Sequence, residues 1–147
     1  MAELDSSKIY GNLKVTRTLK VKDIEVSGTF NAPLAARFGT GVNSTVEGTN
    51  TVASAPNAHA EGEGSHATGN NSHASGQGTR AQGMNQTVIG RYNVPQGSQT
   101  SSSDTDHAFI IGNGTADNAR SNAMHVTWRG DVKAAGEIED GDGNKLS

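Results

Sequence analysis

The sequence contains no cysteine, which excludes a disulfide framework and any thiolate metal site. Aromatic residues make up only 4% of the 147 positions and hydrophobic residues only 32%, too few for the bulky core of an ordinary globular domain. Apolar runs are at most a few residues long, so none reads as a membrane-spanning segment. The net charge of −3 gives no basic footprint for nucleic acid or for an anionic membrane. The opening Met-Ala-Glu-Leu-Asp-Ser-Ser-Lys lacks the apolar stretch of a secretory signal, and the expectation is a chain made and folded in a cytoplasm. What the chain has instead is glycine, 19 residues of it, with abundant Asn, Ser and Thr. Such a composition allows either disorder or an arrangement so regular that small side chains suffice. Periodicity separates the two.

Arg37 to Tyr92 fall into eight rows of seven without a gap: RFGTGVN, STVEGTN, TVASAPN, AHAEGEG, SHATGNN, SHASGQG, TRAQGMN, QTVIGRY. From the second row on, the third column reads Val46, Ala53, Ala60, Ala67, Ala74, Ala81, Val88. The fifth reads Gly48, Ala55, Gly62, Gly69, Gly76, Gly83, Gly90. Columns two and four are mostly polar, and the last is mostly Asn or Gly. A coiled coil is excluded, because its a and d positions need large apolar residues and a Gly in every turn costs a helix about 1 kcal/mol each. Columns three and five lie two apart, the strand period. Columns six and seven carry the residues that corners of unusual φ require. Each row therefore reads as a short strand and a turn. Two rows make one coil of a parallel β-solenoid, and eight rows predict about four coils. The inward set, Val46, Gly48, Ala53, Ala60, Gly62, Ala67, Gly69, Ala74, Gly76, Ala81, Gly83, Val88 and Gly90, is small, so the coil is thin and buries little apolar area. Self-association around a three-fold axis, a closed assembly, supplies the missing burial.

Four segments follow. Residues 1–36 form an N-terminal segment in which Leu13, Val15, Leu19 and Val21 alternate with Lys and Thr as half-buried strands do. Ile24 and Val26 change parity after Asp23, as at a turn or bulge. Residues 37–92 are the repeat block. Residues 93–106 mix Pro, Gly and a Ser/Thr run without periodicity and read as a loop. Residues 107–147 form a β module with strands expected at Ala108–Ile111, Ala123–Trp128 and Val132–Ala134. Its expected core is Phe109, Ile111, Met124, Val126, Trp128 and Val132.

The run SHATGNNSHASGQGTRAQG resembles the head repeats of trimeric autotransporter adhesins. That resemblance implies a left-handed parallel β-roll with three chains side by side. HAFIIGNGTADNARSNAMHVTWRGDV, leading into AAGEIEDGDGNKLS, is similar to a module that recurs in bacteriophage and prophage fibre and tail proteins, and the rhythm of Lys8 to Phe30 resembles phage fibre shafts. The expected fold is thus all-β: a left-handed β-roll in an intertwined homotrimer, flanked by short β segments.

His59, His66 and His73 occupy one column. In a two-row coil His59 and His73 share one face and His66 lies on the other, so the three cannot converge on one ion within a chain, and the column reads as solvated or interfacial. Gly62-Glu63-Gly64-Ser65-His66-Ala67 and Gly76-Gln77-Gly78-Thr79-Arg80-Ala81 match G-x-G-x-x-A, but a dinucleotide site needs a helix and a βαβ unit that are missing here. Asp140-Gly141-Asp142-Gly143-Asn144 begins like a calcium loop without its later bidentate acid and reads as a solvated turn. Arg129-Gly130-Asp131 spells an adhesion tripeptide, yet it also reads as a tight turn between Trp128 and Val132. The N-x-S/T matches at Asn43, Asn70, Asn85 and Asn113 follow from composition. No nucleophile, base and orienting group come together, so no catalysis, cofactor or metal is expected.

The function expected is a structural virion fibre or spike subunit, on tail or head, displayed for host-cell attachment. Its partners would be two further copies, other virion proteins through the N-terminal segment, and a host-surface receptor or glycan. Neither nucleic acid nor membrane insertion is expected. Receptor contacts are expected on the loops Asn93–Asp106 or Asp117–Asn122. The alternative is the head of a bacterial trimeric autotransporter adhesin on the cell surface. The signal, stalk and membrane barrel of such adhesins are not seen in the sequence, which favours the virion. A glycan-cleaving spike is a third class, with no activity expected.

Overall fold

A computed structural model describes residues 37–145. The N-terminal segment, with its expected strands between Lys8 and Phe30, lies outside the described residues. Within them there are strands and no helix: β1 (Arg37–Phe38), β2 (Thr45–Thr49), β3 (Val52–Ala53), β4 (His59–Glu63), β5 (His66–Ala67), β6 (His73–Gln77), β7 (Arg80–Ala81), β8 (Thr87–Arg91), β9 (His107–Asn113), β10 (Asn122–Thr127) and β11 (Val132–Ala134). Strands of five and two residues alternate through the repeat block. The long ones stack in parallel as β2-β4-β6-β8, and the short ones stack as a second sheet, β3-β5-β7. Thr45 pairs with His59 and His59 with His73, so one coil is the 14-residue step that also separates their stacked side chains.

The result is a β-solenoid of about three turns, fewer than the four expected. The two end rows account for the difference. At the start, β1 runs antiparallel to β2, with Phe38 opposite Thr45, although Thr40 and Gly41 still donate to the Ala53 carbonyl much as Thr68 and Gly69 donate to that of Ala81. At the far end, β8 is followed by Tyr92 and a loop instead of a second short strand.

Alternation along each strand decides which side chains enter the coil. Ala53, Ala60, Ala67, Ala74, Ala81 and Val88 are buried, and Val46 packs partly buried against them. The fifth column divides. Ala55, Gly69 and Gly83, which follow the short strands, are buried; Gly76 is half-buried, and Gly48, Gly62 and Gly90 are exposed. These last four share a positive φ of 93–120°, and a Cβ on Gly48, Gly62 or Gly76 would be driven into the carbonyl oxygen of the glycine one coil on. Glycine is required there by backbone conformation and close stacking rather than by entry into the core. The first column, which the sequence reading left unassigned, is also interior: Ser44, Ala58, Ser65, Ser72, Thr79 and Gln86 are all buried. The hydroxyls of Ser44, Ser65 and Thr79 find partners inside the coil, whereas that of Ser72 has none among the described residues. Ser44 Oγ donates to the carbonyls of Gly41 and Ala53, Ser65 Oγ to Gly76, and Thr79 Oγ1 to Ser65 Oγ at 2.8 Å. A polar column next to the alanines is therefore paired at Ser44, Ser65 and Thr79, with the Ser72 hydroxyl the exception.

The corners confirm the turn chemistry. Asn43, Asn50, Asn57, Asn71 and Asn85 all have φ of 55–59°, with Gly64 at 62° and Gly78 at 59° at equivalent corners. Asparagine tolerates this left-handed conformation better than other side-chain-bearing residues. It also links coils: Asn57 donates to Asn71 at 3.0 Å and Asn71 to Asn85 at 2.9 Å.

The C-terminal module continues the long sheet, with β9 parallel to β8 and then β10 and β11 antiparallel. Its strands match the expected positions, but its core does not. Val88 pairs with Ile110, so Ile110 extends the inward column and is fully buried. Phe109 and Ile111 take the opposite face and are half-buried, as are Met124 and Val126. Trp128 and Val132 are 44% and 56% exposed. The reason is register: the parity of β9 is set by β8, one residue away from the parity that size alone suggests.

Candidate functional site

The parallel coils present two outward faces, one on the long strands and one on the short. The end of β8 folds against the Asp117–Asn122 stretch. Gly78 leaves room there for an aromatic ring: a Cβ at this position would meet the ring of Tyr92. Tyr92 itself has a φ of 40°, a conformation that bulky residues rarely hold. Arg120 fixes the corner. Its Nη1 donates to the carbonyls of Gly78 and Asn93 at 2.9 and 3.0 Å, and its guanidinium lies over the Tyr92 ring at 5.7 Å. Asp117 pairs with Arg120 and, at 3.2 Å, with Arg80.

These groups border an open recess of about 240 Å³ lined by Asn50, Glu63, His66, Gln77, Arg80, Tyr92 and Asp117, among others. Gln77 donates to Glu63 at 3.2 Å on one wall. The Arg120 guanidinium holds the Asp117 carboxyl below the usual range, with Arg80 adding to the effect. Partial burial pushes His66 down, and Arg80 pushes it further. The recess thus offers fixed donors, fixed acceptors and one aromatic face. That is the chemistry of binding a polar, hydroxyl-bearing ligand, since orientation comes from a few placed polar groups.

Of the histidine column only His66 borders the recess. His59 and His73 stack on the long-strand face with ring centroids 4.9 Å apart, while His66 sits on β5 in the short-strand sheet. Arg129, Gly130 and Asp131 form the exposed β10–β11 turn, where the Arg129 guanidinium pairs with the Asp131 carboxylate. Asp140 accepts the N–H groups of Asp142 and Asn144 at 3.0 and 2.8 Å, so its carboxylate closes a turn on its own backbone. Residues 93–106 carry no strand, as expected, but their first half is not free. Gly97, Ser98 and Gln99 accept from Gln82, Met84 and Asn70, laying the chain along the last coil.

Two buried polar side chains seal that coil. The Asn93 amide pairs with the backbone of Arg80. Gln86 Oε1 accepts from the N–H groups of Gln82 and Gly83, and its Nε2 donates to the Gln96 and His107 carbonyls. Both occupy positions where the short-strand sheet runs out, and an uncovered edge is a template for unwanted pairing. Sequence reading left both without a role: Gln86 opens the eighth row in the unassigned first column, and Asn93 is the first residue of the segment read as a loop.

Among the described residues the geometry defines an all-β fold built on a short β-solenoid with an antiparallel extension. No protein-family model matches the chain, and neither a curated protein nor a solved structure matches it.

Proposed function

We propose that the protein is a subunit of a homotrimeric virion fibre or spike, its solenoid a left-handed shaft of seven-residue repeats and its C-terminal module a carrier of host-attachment contacts. One observation carries this reading: the apolar interior of the stacked coils is mostly alanine beside a column of mostly small polar residues, while Phe38, Val42, Trp128 and Val132 stay at the surface. A chain that buries small residues and exposes large ones gains most by association, because burial scales with apolar area. The face of β9–β11 that bears Phe109, Ile111, Met124 and Val126 is only half covered and suits a second and third copy. The recess beside Asp117 suits a host glycan.

Light scattering coupled to gel filtration tests the assembly, with three times the monomer mass expected and a folded monomer at micromolar concentration contradicting it. Labelled electron microscopy tests the placement. Label on a phage particle supports the reading, and label on a bacterial outer surface replaces it with an adhesin head. Asp117→Ala tests the contact: host attachment weakens if the recess binds the receptor and stays unchanged if it does not.

A further inference from the structure

Parallel in-register stacking places residues that are 14 apart in sequence side by side, and on the long-strand face it assembles a patch with metal-ligand chemistry. Glu47 lies abreast of Glu61, and His59 abreast of His73. One ligand atom each from Glu47, His59 and Glu61 falls within 4.8 Å of the others. His73 Nε2 approaches Glu61 Oε1 at 3.6 Å. The patch is bounded, because the same two columns carry Thr45 and Thr87 beyond the histidines, and Ser75 and Ile89 beyond the glutamates.

Two features of this patch lack an explanation in the folded chain alone. Like charges directly abreast on neighbouring strands are unfavourable, yet Glu47 and Glu61 are paired so. The Nε2 atoms of both His59 and His73 are shielded from solvent and have no hydrogen-bond partner among the described residues. A cation shared by the four side chains removes both anomalies. We propose that Glu47, His59, Glu61 and His73 form a binding site for a divalent transition-metal ion, of which Zn²⁺ is the natural probe. Imidazole and carboxylate together suit zinc and its neighbours, whereas calcium and magnesium take oxygen ligands. Bonds of about 2.0–2.2 Å require the ligand atoms to draw in to roughly 3.5 Å from one another; the exposed Glu47 and half-exposed Glu61 side chains can follow, and one of the two stacked imidazoles must turn out of the stack for both to point a lone pair at one ion. The ion would staple three successive coils, β2, β4 and β6. This proposal is independent of the assembly and of the virion reading.

The test is a ZnCl₂ titration by calorimetry, with thermal melts in zinc and in EDTA, on the full chain and on Glu61→Gln and His59→Gln. Glu47→Gln, at an exposed position, is added as the variant that should melt like the parent in EDTA; Glu61→Gln and His59→Gln also lose contacts to Ser75 and His73, so each is compared with its own melt in EDTA. The expected result is a zinc-dependent rise in melting temperature that EDTA reverses, with affinity reduced about 10–100-fold or more in each variant, the loss seen when even outer-shell groups of metal sites are removed. A melting temperature indifferent to zinc, an unchanged affinity in the variants, or Ca²⁺ binding as tightly as Zn²⁺ would each overturn it.

Discussion

Asn93 takes the place of the next coil for Arg80: its Oδ1 accepts the Arg80 N–H at 2.7 Å and its Nδ2 donates to the Arg80 carbonyl at 3.0 Å. The side chain is fully buried. Replacing it with leucine keeps the branched shape, adds bulk and orphans two backbone groups. A buried group left unpaired costs about 1–3 kcal/mol, so Asn93→Leu should lower the melting temperature clearly. Circular dichroism melts check this. A variant as stable as the parent would mean that water or another chain satisfies β7 instead.

Ala67 is completely buried, and Gly76 stacks its Cα under the Gly90 carbonyl oxygen. Thr68, next to Ala67, is only half-buried. Ala67→Leu and Gly76→Val should therefore destabilise far more than Thr68→Val. Overpacking costs about 1–3 kcal/mol per site, and Gly76→Val adds strain from a φ of 120°. Equal denaturant midpoints for the three variants would contradict both the inward placement of Ala67 and the close stacking of Gly76.

The loop before β9 divides into a docked half and a free half. Deleting Gln96–Ser103 removes the acceptors for Gln82, Met84, Asn70 and Gln86, and should lower stability. Replacing the exposed Thr100, Ser101 and Ser102 with glycine should leave the melting curve nearly unchanged. Paired melts of the two variants decide it.

His107 and His125 stack face to face with centroids 3.7 Å apart. Burial first, and then His125 and Lys133, hold His107 below its ordinary value of 6.5, against an opposing pull from Asp106. The folded state then binds the proton less readily than the unfolded state. Stability is full above pH 6.5, begins to fall as the pH drops through that value, and stops falling from this cause below the lower folded value. His66, also pushed down, acts in the same direction. Asp106, Asp117 and Asp140, held below 3.8, and Glu61, held below 4.5 chiefly by the Ser75 hydroxyl, act in a separate window that opens as the pH falls toward those ordinary values. Melts between pH 7.5 and about pH 5 should show a decline that His125→Gln reduces. An identical decline in that variant would place the effect elsewhere.

The strand-and-turn period, the alanine column and the asparagine corners were legible in the sequence, because each follows from local rules: alternation in a strand and the φ that a corner demands. The stacking of His59 on His73 followed from the same period. What the tertiary structure decided depends on register between strands distant in sequence. It placed Ile110 rather than Phe109 in the core, since β8 sets the parity of β9. It made the serine and threonine column interior, where Ser65 reaches a carbonyl and Thr79 a hydroxyl on the neighbouring coil. It brought Glu47 to His59 and Tyr92 to Asp117, pairings that no local pattern encodes. Composition and period determine that this chain coils; which side chains meet across the coils is fixed only when backbone hydrogen bonds lock one turn onto the next.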